Sequence, residues 1–145
     1  MDYLIDTNVL VRAVDRRDAD CVTARNALSK LTGNRQALYI LPQITAEFWV
    51  VCTRPVRKNG LGYKPTRVRR YISRFESLFV VLLETEDAYR EWNRLVSAHS
   101  ITGTEAHDTR VAAAMIVHGI ENIVTFNVDD FTIYPHIRAI HPREV

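Results

Sequence analysis

The sequence is short of the residues that build specialised scaffolds. Two cysteines, Cys21 and Cys52, are too few and too far apart for a disulfide framework or a zinc motif, and they suit reduced, partly buried apolar positions. Five glycines and five prolines in 145 residues exclude collagen-like and linker-like chains. No apolar run reaches the roughly 18 residues of a membrane span, and the N-terminus lacks the basic region and cleavage site of a secretory signal. A cytoplasmic protein without a membrane partner is therefore expected. Charge of one sign is also scarce: a net +2 is too small by itself to imply nucleic acid.

What is present belongs to an ordinary globular chain, 47% hydrophobic and 25% charged, whose length suits one domain over residues 1–145. The pattern opens on Tyr3-Leu4-Ile5, an apolar strand that stops at Asp6 before a helix-compatible stretch resumes at Val9. A second helix is expected over about Ala19 to Leu31, with Val22, Leu28 and Leu31 inward. Ala37 to Leu41 reads as a strand and Gln43 to Thr53 as a helix burying Ile44, Phe48 and Val51. Thr66 is placed to cap a helix running to about Ser77. Leu78 to Leu83 reads as a strand. Glu86 to His99 reads as a helix with Ala88, Trp92, Leu95 and Val96 inward. Thr102 and Glu105 have capping-box spacing for a nearly all-apolar helix that ends at Gly119. Asn122 to Phe126 and a short Ile137 to Ile140 complete the strands. Strands alternating with helices predict a three-layer α/β/α fold around a central parallel sheet.

In such a sheet ligands bind outside the carboxyl ends of the strands, where the following helices begin. Asp6 ends the first strand, Glu47 lies near the start of the helix after the second, Asp108 lies in the first turns of the most apolar helix, and Asn127-Val128-Asp129-Asp130 leaves the fourth strand. All face one edge. Each has a plainer role available: Asp6 as a helix cap, Glu47 as a surface acid, Asp108 as partner of Arg94 or Arg110, and Asn127, Asp129 and Asp130 as turn formers. A shared edge favours the joint reading. Two unit charges 4 Å apart repel by about 4 kcal/mol at an effective dielectric near 20, so protons or a cation must offset them. Hard oxygen donors suit Mg²⁺ or Mn²⁺.

Leu4-Ile5-Asp6-Thr7-Asn8-Val9-Leu10, Thr45-Ala46-Glu47-Phe48, Ala106-His107-Asp108-Thr109-Arg110 and Val124-Thr125-Phe126-Asn127-Val128-Asp129-Asp130-Phe131, in this order, resemble the motifs of PIN domains, and among them of VapC-type ribonuclease toxins. The resemblance implies a PIN-like fold, Mg²⁺- or Mn²⁺-dependent cleavage of RNA as an endoribonuclease, a homodimer, and an antitoxin protein as partner. It assigns Asp6, Glu47 and Asp108 to the three acidic metal positions and puts Asn127 at a fourth that is often Asp, leaving Asp129 or Asp130 to substitute through a water. Thr7 and Asn8 match the small polar positions that support the first acid. Asp6 and Asp108 would hold the metal, and Glu47 a second ion or the attacking water.

Residues 54 to 74 carry Arg54, Arg57, Lys58, Lys64, Arg67, Arg69, Arg70 and Arg74, eight of the 19 Lys and Arg residues, and no acid. These cations can pair with RNA phosphates, with Tyr63 and Tyr71 as stacking platforms. A solvated helix face and a docking surface for an acidic antitoxin segment are the competing uses. The histidines, His99, His107, His118, His136 and His141, receive no catalytic role, and Trp49 and Trp92 suit core or dimer contacts. Two other functions compete with the nuclease. A phosphatase with Asp6 as nucleophile is disfavoured because Asn8 stands where a general acid is needed. A non-cleaving RNA- or partner-binding module is kept open by Asn127.

Overall fold

The computed structural model describes residues 1–145. Strand β1 (Asp2–Ile5) leads into α1 (Thr7–Val14) and α2 (Cys21–Gly33), then β2 (Ala37–Ile40), α3 (Pro42–Thr53), α4 (Pro65–Leu78), β3 (Val80–Val81), α5 (Glu86–Ala98), α6 (Glu105–His118), β4 (Asn122–Val124) and β5 (Arg138–Ile140). The strands form one sheet in the order β3-β2-β1-β4-β5. Every neighbouring pair is parallel. With helices packed against it the architecture is three-layer α/β/α. The chain steps outward from β1 to β2 and β3, then returns to the other side of β1 for β4. That reversal makes a switch point between β1 and β4, where an open parallel sheet leaves a crevice.

Burial follows from position in the sheet. Leu4 and Ile5 of the central strand and Ile123 and Val124 of β4 are fully buried, as a doubly covered parallel sheet requires. In α6, Val111 to Met115 are all buried, so this helix is central as its composition predicts. Phe48 of α3 meets Phe75 edge-on, with ring centroids 5.2 Å apart, and docks α4.

The structure corrects several local readings. Helix α1 begins at Thr7 because Asp6 caps it: Thr7 N donates to Asp6 Oδ1 at 2.7 Å. Val22 is 67% exposed, since α2 buries its small residues Cys21, Ala24 and Ala27, with Leu31, in a close approach to α1. Leu78 to Leu83 is not a strand throughout: α4 runs on to Leu78 and only Val80 and Val81 pair, at the sheet edge. Thr66 caps nothing, because Pro65 occupies the first helical position and needs no N–H acceptor. The capping box at Thr102 and Glu105 does not form: α6 starts after Thr104, which makes no side-chain cap, and Gly103 turns there at φ +59°. Cys21 and Cys52 are free and buried.

Candidate functional site

At the crevice, Asp6 is held by three donors from two strand ends. Besides the Thr7 amide on Oδ1, Asp6 Oδ2 accepts from Asn8 Nδ2 at 3.0 Å and from Thr125 Oγ1 at 2.7 Å. Thr125, fully buried just beyond β4, also accepts from Asn8 Nδ2 at 3.1 Å and from Asn127 N at 3.0 Å, so its hydroxyl is saturated. Asn8 Oδ1 accepts from Phe126 N at 3.0 Å and closes the network across the switch point. Asp6 is thus both helix cap and site acid. The sequence reading places Thr125 in a motif and in the fourth strand but gives it no role, although a threonine in a buried strand signals a hydroxyl in need of partners.

Glu47 is fixed on both oxygens, Oε2 by Thr7 Oγ1 at 2.8 Å and Oε1 by Gln43 Nε2 at 2.8 Å. The same Gln43 amide donates to the His107 carbonyl at 3.1 Å and so ties α3 to the first turn of α6. Gln43 was also missed, though one helical turn before Glu47 is where a partner belongs. Asp108 has neither suggested arginine: Arg94 pairs with Glu91 and Arg110 with Glu84.

The acids sense one another. Burial pushes the Asp108 carboxyl up to about 6, helped by the negative charges of Asp130, Asp6 and Glu47. Burial likewise raises Asp6, against the hydrogen bonds from Thr125 and Thr7, with Glu47 and Asp130 adding repulsion. None of these four carboxylates belongs to any of the protein's ion pairs. The charge of Asp130 reaches Asp6 and Asp108 although Asp130, like Asn127, is exposed; the Asn127 side chain carries no charge and makes no hydrogen bond. The Asp129 carbonyl accepts from Thr132 Oγ1 in the turn.

A group of hard oxygens with uncompensated negative charge fits a hard divalent cation. No three acidic, histidine or cysteine side chains close into a ready-made cage. Mg²⁺ does not require one, because it keeps several waters and binds through one or two carboxylates.

The basic stretch divides in two. Arg54 Nη2 donates to the Asn59 carbonyl at 3.0 Å, and Arg67 lies 3.7 Å from the Tyr63 ring centroid with its Nε on Tyr71 Oη at 3.3 Å. Tyr63 Oη donates to the Val14 carbonyl at 3.1 Å, so the tyrosines brace the loop rather than standing free as platforms. Arg57, Lys58, Lys64, Arg69, Arg70 and Arg74 are exposed and in no ion pair. The stretch begins roughly 10 Å along the α3 axis from Glu47, at 1.5 Å per residue.

Comparison with known proteins agrees with this geometry. No curated protein matches the chain in sequence. Among solved structures it resembles a chain of the VapBC2 complex of Rickettsia felis bound to a DNA fragment from its promoter (19% identity, 97% of this chain and 98% of that one, TM-score 0.73). It also resembles VapC20 of Mycobacterium tuberculosis, a sarcin-ricin loop cleaving toxin (18% identity, 91% and 95%, TM-score 0.66). A third likeness is to a toxin-antitoxin complex from Klebsiella pneumoniae (20% identity, 99% and 99%, TM-score 0.65). At these identities the likeness is one of fold. The family model described as PIN domain matches residues 3–136, nearly the whole chain, and the protein belongs to the PIN domain family.

Proposed function

We propose that the protein is a metal-dependent endoribonuclease acting as the toxin of a toxin–antitoxin pair. The observation that carries this reading is the gathering at the switch point of Asp6, Glu47, Asp108 and Asp130, carboxylates in no ion pair, whose charges raise Asp6 and Asp108. Support also comes from the solved relatives, which include a toxin that cleaves the sarcin-ricin loop and toxin–antitoxin complexes. The partners in this reading are an RNA substrate, an antitoxin protein and a second copy of the chain.

Asp6 and Asp108 would hold Mg²⁺ or Mn²⁺, which when bound polarises a phosphate oxygen and lowers the pKa of a bound water. Asp6 offers its carboxylate in one orientation because Thr7, Asn8 and Thr125 hold it. Glu47, steadied by Thr7 and Gln43, is positioned to accept a proton from an attacking water. Asp130 supplies the fourth negative charge in place of Asn127. The exposed cations of residues 57 to 74 draw the phosphate backbone toward an otherwise repellent site.

The test is incubation of the purified protein with a mixed RNA pool in chelator, then in added Mg²⁺ or Mn²⁺. Scission that appears only with the cation is expected. RNA binding without scission under every condition favours the non-cleaving binding module and overturns the nuclease.

A further inference from the structure

Arg12 and Arg143 come from opposite ends of the chain and meet at one carboxylate. Asp20, just before α2, accepts from Arg12 Nη1 on Oδ2 at 3.1 Å and from Arg143 Nη2 on Oδ1 at 3.2 Å. The Asp20 amide donates to Asp18 Oδ1 at 2.8 Å, so the bridging residue is held by its own turn. One acid shared between two guanidinium groups leaves one positive charge over. The contact does not exhaust either arginine, since a guanidinium carries five N–H donors. Arg12 Nε and Nη2 have no partner in the chain and are not buried, and Arg143 is exposed with only Nη2 engaged.

Both arginines are set around Phe126, the residue after Thr125. The Arg12 guanidinium lies over the Phe126 ring, 4.0 Å from its centroid. His141 meets the same ring edge-on at 5.0 Å, and its Nδ1 accepts from Arg143 N at 3.1 Å, capping the 3₁₀ turn Pro142–Glu144 that carries Arg143. Phe126 is tied in turn to the acid site, because its amide donates to Asn8 Oδ1 while the preceding Thr125 hydroxyl donates to Asp6. Arg12 follows Asn8 by one turn on the same face of α1, a rise of roughly 6 Å. The pair thus stands on the β4 side of α1, beside the acids, whereas the basic stretch follows α3, which carries Glu47.

We propose that Arg12 and Arg143 form a phosphate subsite for the nucleic-acid strand on the β4 side of the acids. The cations of α4 hold the strand from the α3 side, so its phosphates cross the carboxylates between two positive poles. A guanidinium fixed in place with free N–H groups matches a phosphate in charge and geometry. Asp20 both places the two cations and competes with phosphate for them. That the strand is an RNA substrate rests on the nuclease reading, but the anion binding does not.

The experiment follows binding of a labelled single-stranded oligoribonucleotide to the full-length protein by fluorescence anisotropy, in chelator and across a salt series. Arg12→Gln and Arg143→Gln, each shown to be folded by circular dichroism, should weaken binding several-fold on every sequence tried and reduce the salt slope by about 0.7 per lost contact. The exposed Arg143 carries the test alone if Arg12→Gln does not fold. Asp20→Asn keeps both cations and removes the competing charge, so its affinity should rise. Unaltered affinity and slope in the arginine variants overturn the proposal. So does a loss in Asp20→Asn equal to that in Arg143→Gln, which would make the trio a brace between α1, α2 and the C-terminal turn. A protein that binds through these arginines yet never cuts in Mg²⁺ or Mn²⁺ loses the nuclease reading and keeps the subsite; one that cuts, with variants that bind as wild type does, keeps the nuclease and loses the subsite.

Discussion

Asp6 combines two duties, capping α1 with one oxygen and facing the other acids with its charge. The Thr125 hydroxyl makes that combination stable, so Thr125→Val, nearly isosteric, should lower stability by about 1–3 kcal/mol in urea denaturation by leaving buried partners unmatched. Thr125→Ser should restore most of the loss. Charge at the site has a pH signature. The folded protein holds the Asp108 proton up to about pH 6, against an ordinary value of 3.8, so protonation favours the fold. In metal-free protein stability is therefore lost as pH rises from about 4 through about 6, and the melting temperature in chelator should be higher at pH 5.5 than at pH 7.5. In the proposed function a divalent cation would replace the proton, so Mn²⁺ should raise the melting temperature at pH 7.5 and have little effect at pH 5. A metal-free melting temperature that falls on acidification across this window would remove the electrostatic account. That Asp6, Glu47 and Asp108 come together was legible in the sequence because strand ends and helix starts share an edge. Thr125 and Gln43 were not, because their importance lies in contacts between distant segments.

The elements show which physical signals are local. Apolar runs and periodicity located the strands and helices, but edge strand β3 shrank to two residues because only β2 pairs with it. Helix starts were misread at Thr66 and Thr102, where a proline and a glycine turn took over the role of a cap. The loop between α3 and α4 is more ordered than its Gly and Pro content suggests. Leu61 N and Tyr63 N donate to the carbonyls of Val51 and Cys52, and a Cβ at Gly60 would lie 1.9 Å from the Arg54 carbonyl oxygen. Gly60→Ala should thus destabilise the protein by about 1–3 kcal/mol and loosen the basic loop, measurable as faster amide exchange over residues 55–64. Helix α4 then offers its unpaired cations. Charge reversal at Arg69 and Arg70 together should weaken RNA binding and flatten its salt dependence, by a slope of about 0.7 per lost contact on a single strand. Unaltered RNA affinity with lost antitoxin binding would give this face to the antitoxin.

At the scale of the molecule, the sheet order determines the chemistry. Reversal between β1 and β4 brings Asp6 within hydrogen-bonding distance of Thr125, 119 residues away in sequence, and carries Asp130 to the same crevice. The α/β/α architecture was readable from alternation alone. Which turn residue brings its charge near the acids was not, because a short 3₁₀ turn at Val128–Phe131, anchored by the buried Phe131, sets where the exposed Asn127, Asp129 and Asp130 stand. In the proposed function these carboxylates form one cation-dependent cleavage site. Its most direct test is the rate of RNA scission in Mn²⁺ by wild type, Asp6→Asn, Asp108→Asn, Asp130→Asn and Asn127→Ala, each shown to be folded. Loss of scission is expected in Asp6→Asn and Asp108→Asn, a clear decrease in Asp130→Asn and little change in Asn127→Ala. Scission that persists at the wild-type rate in Asp6→Asn and Asp108→Asn would contradict it.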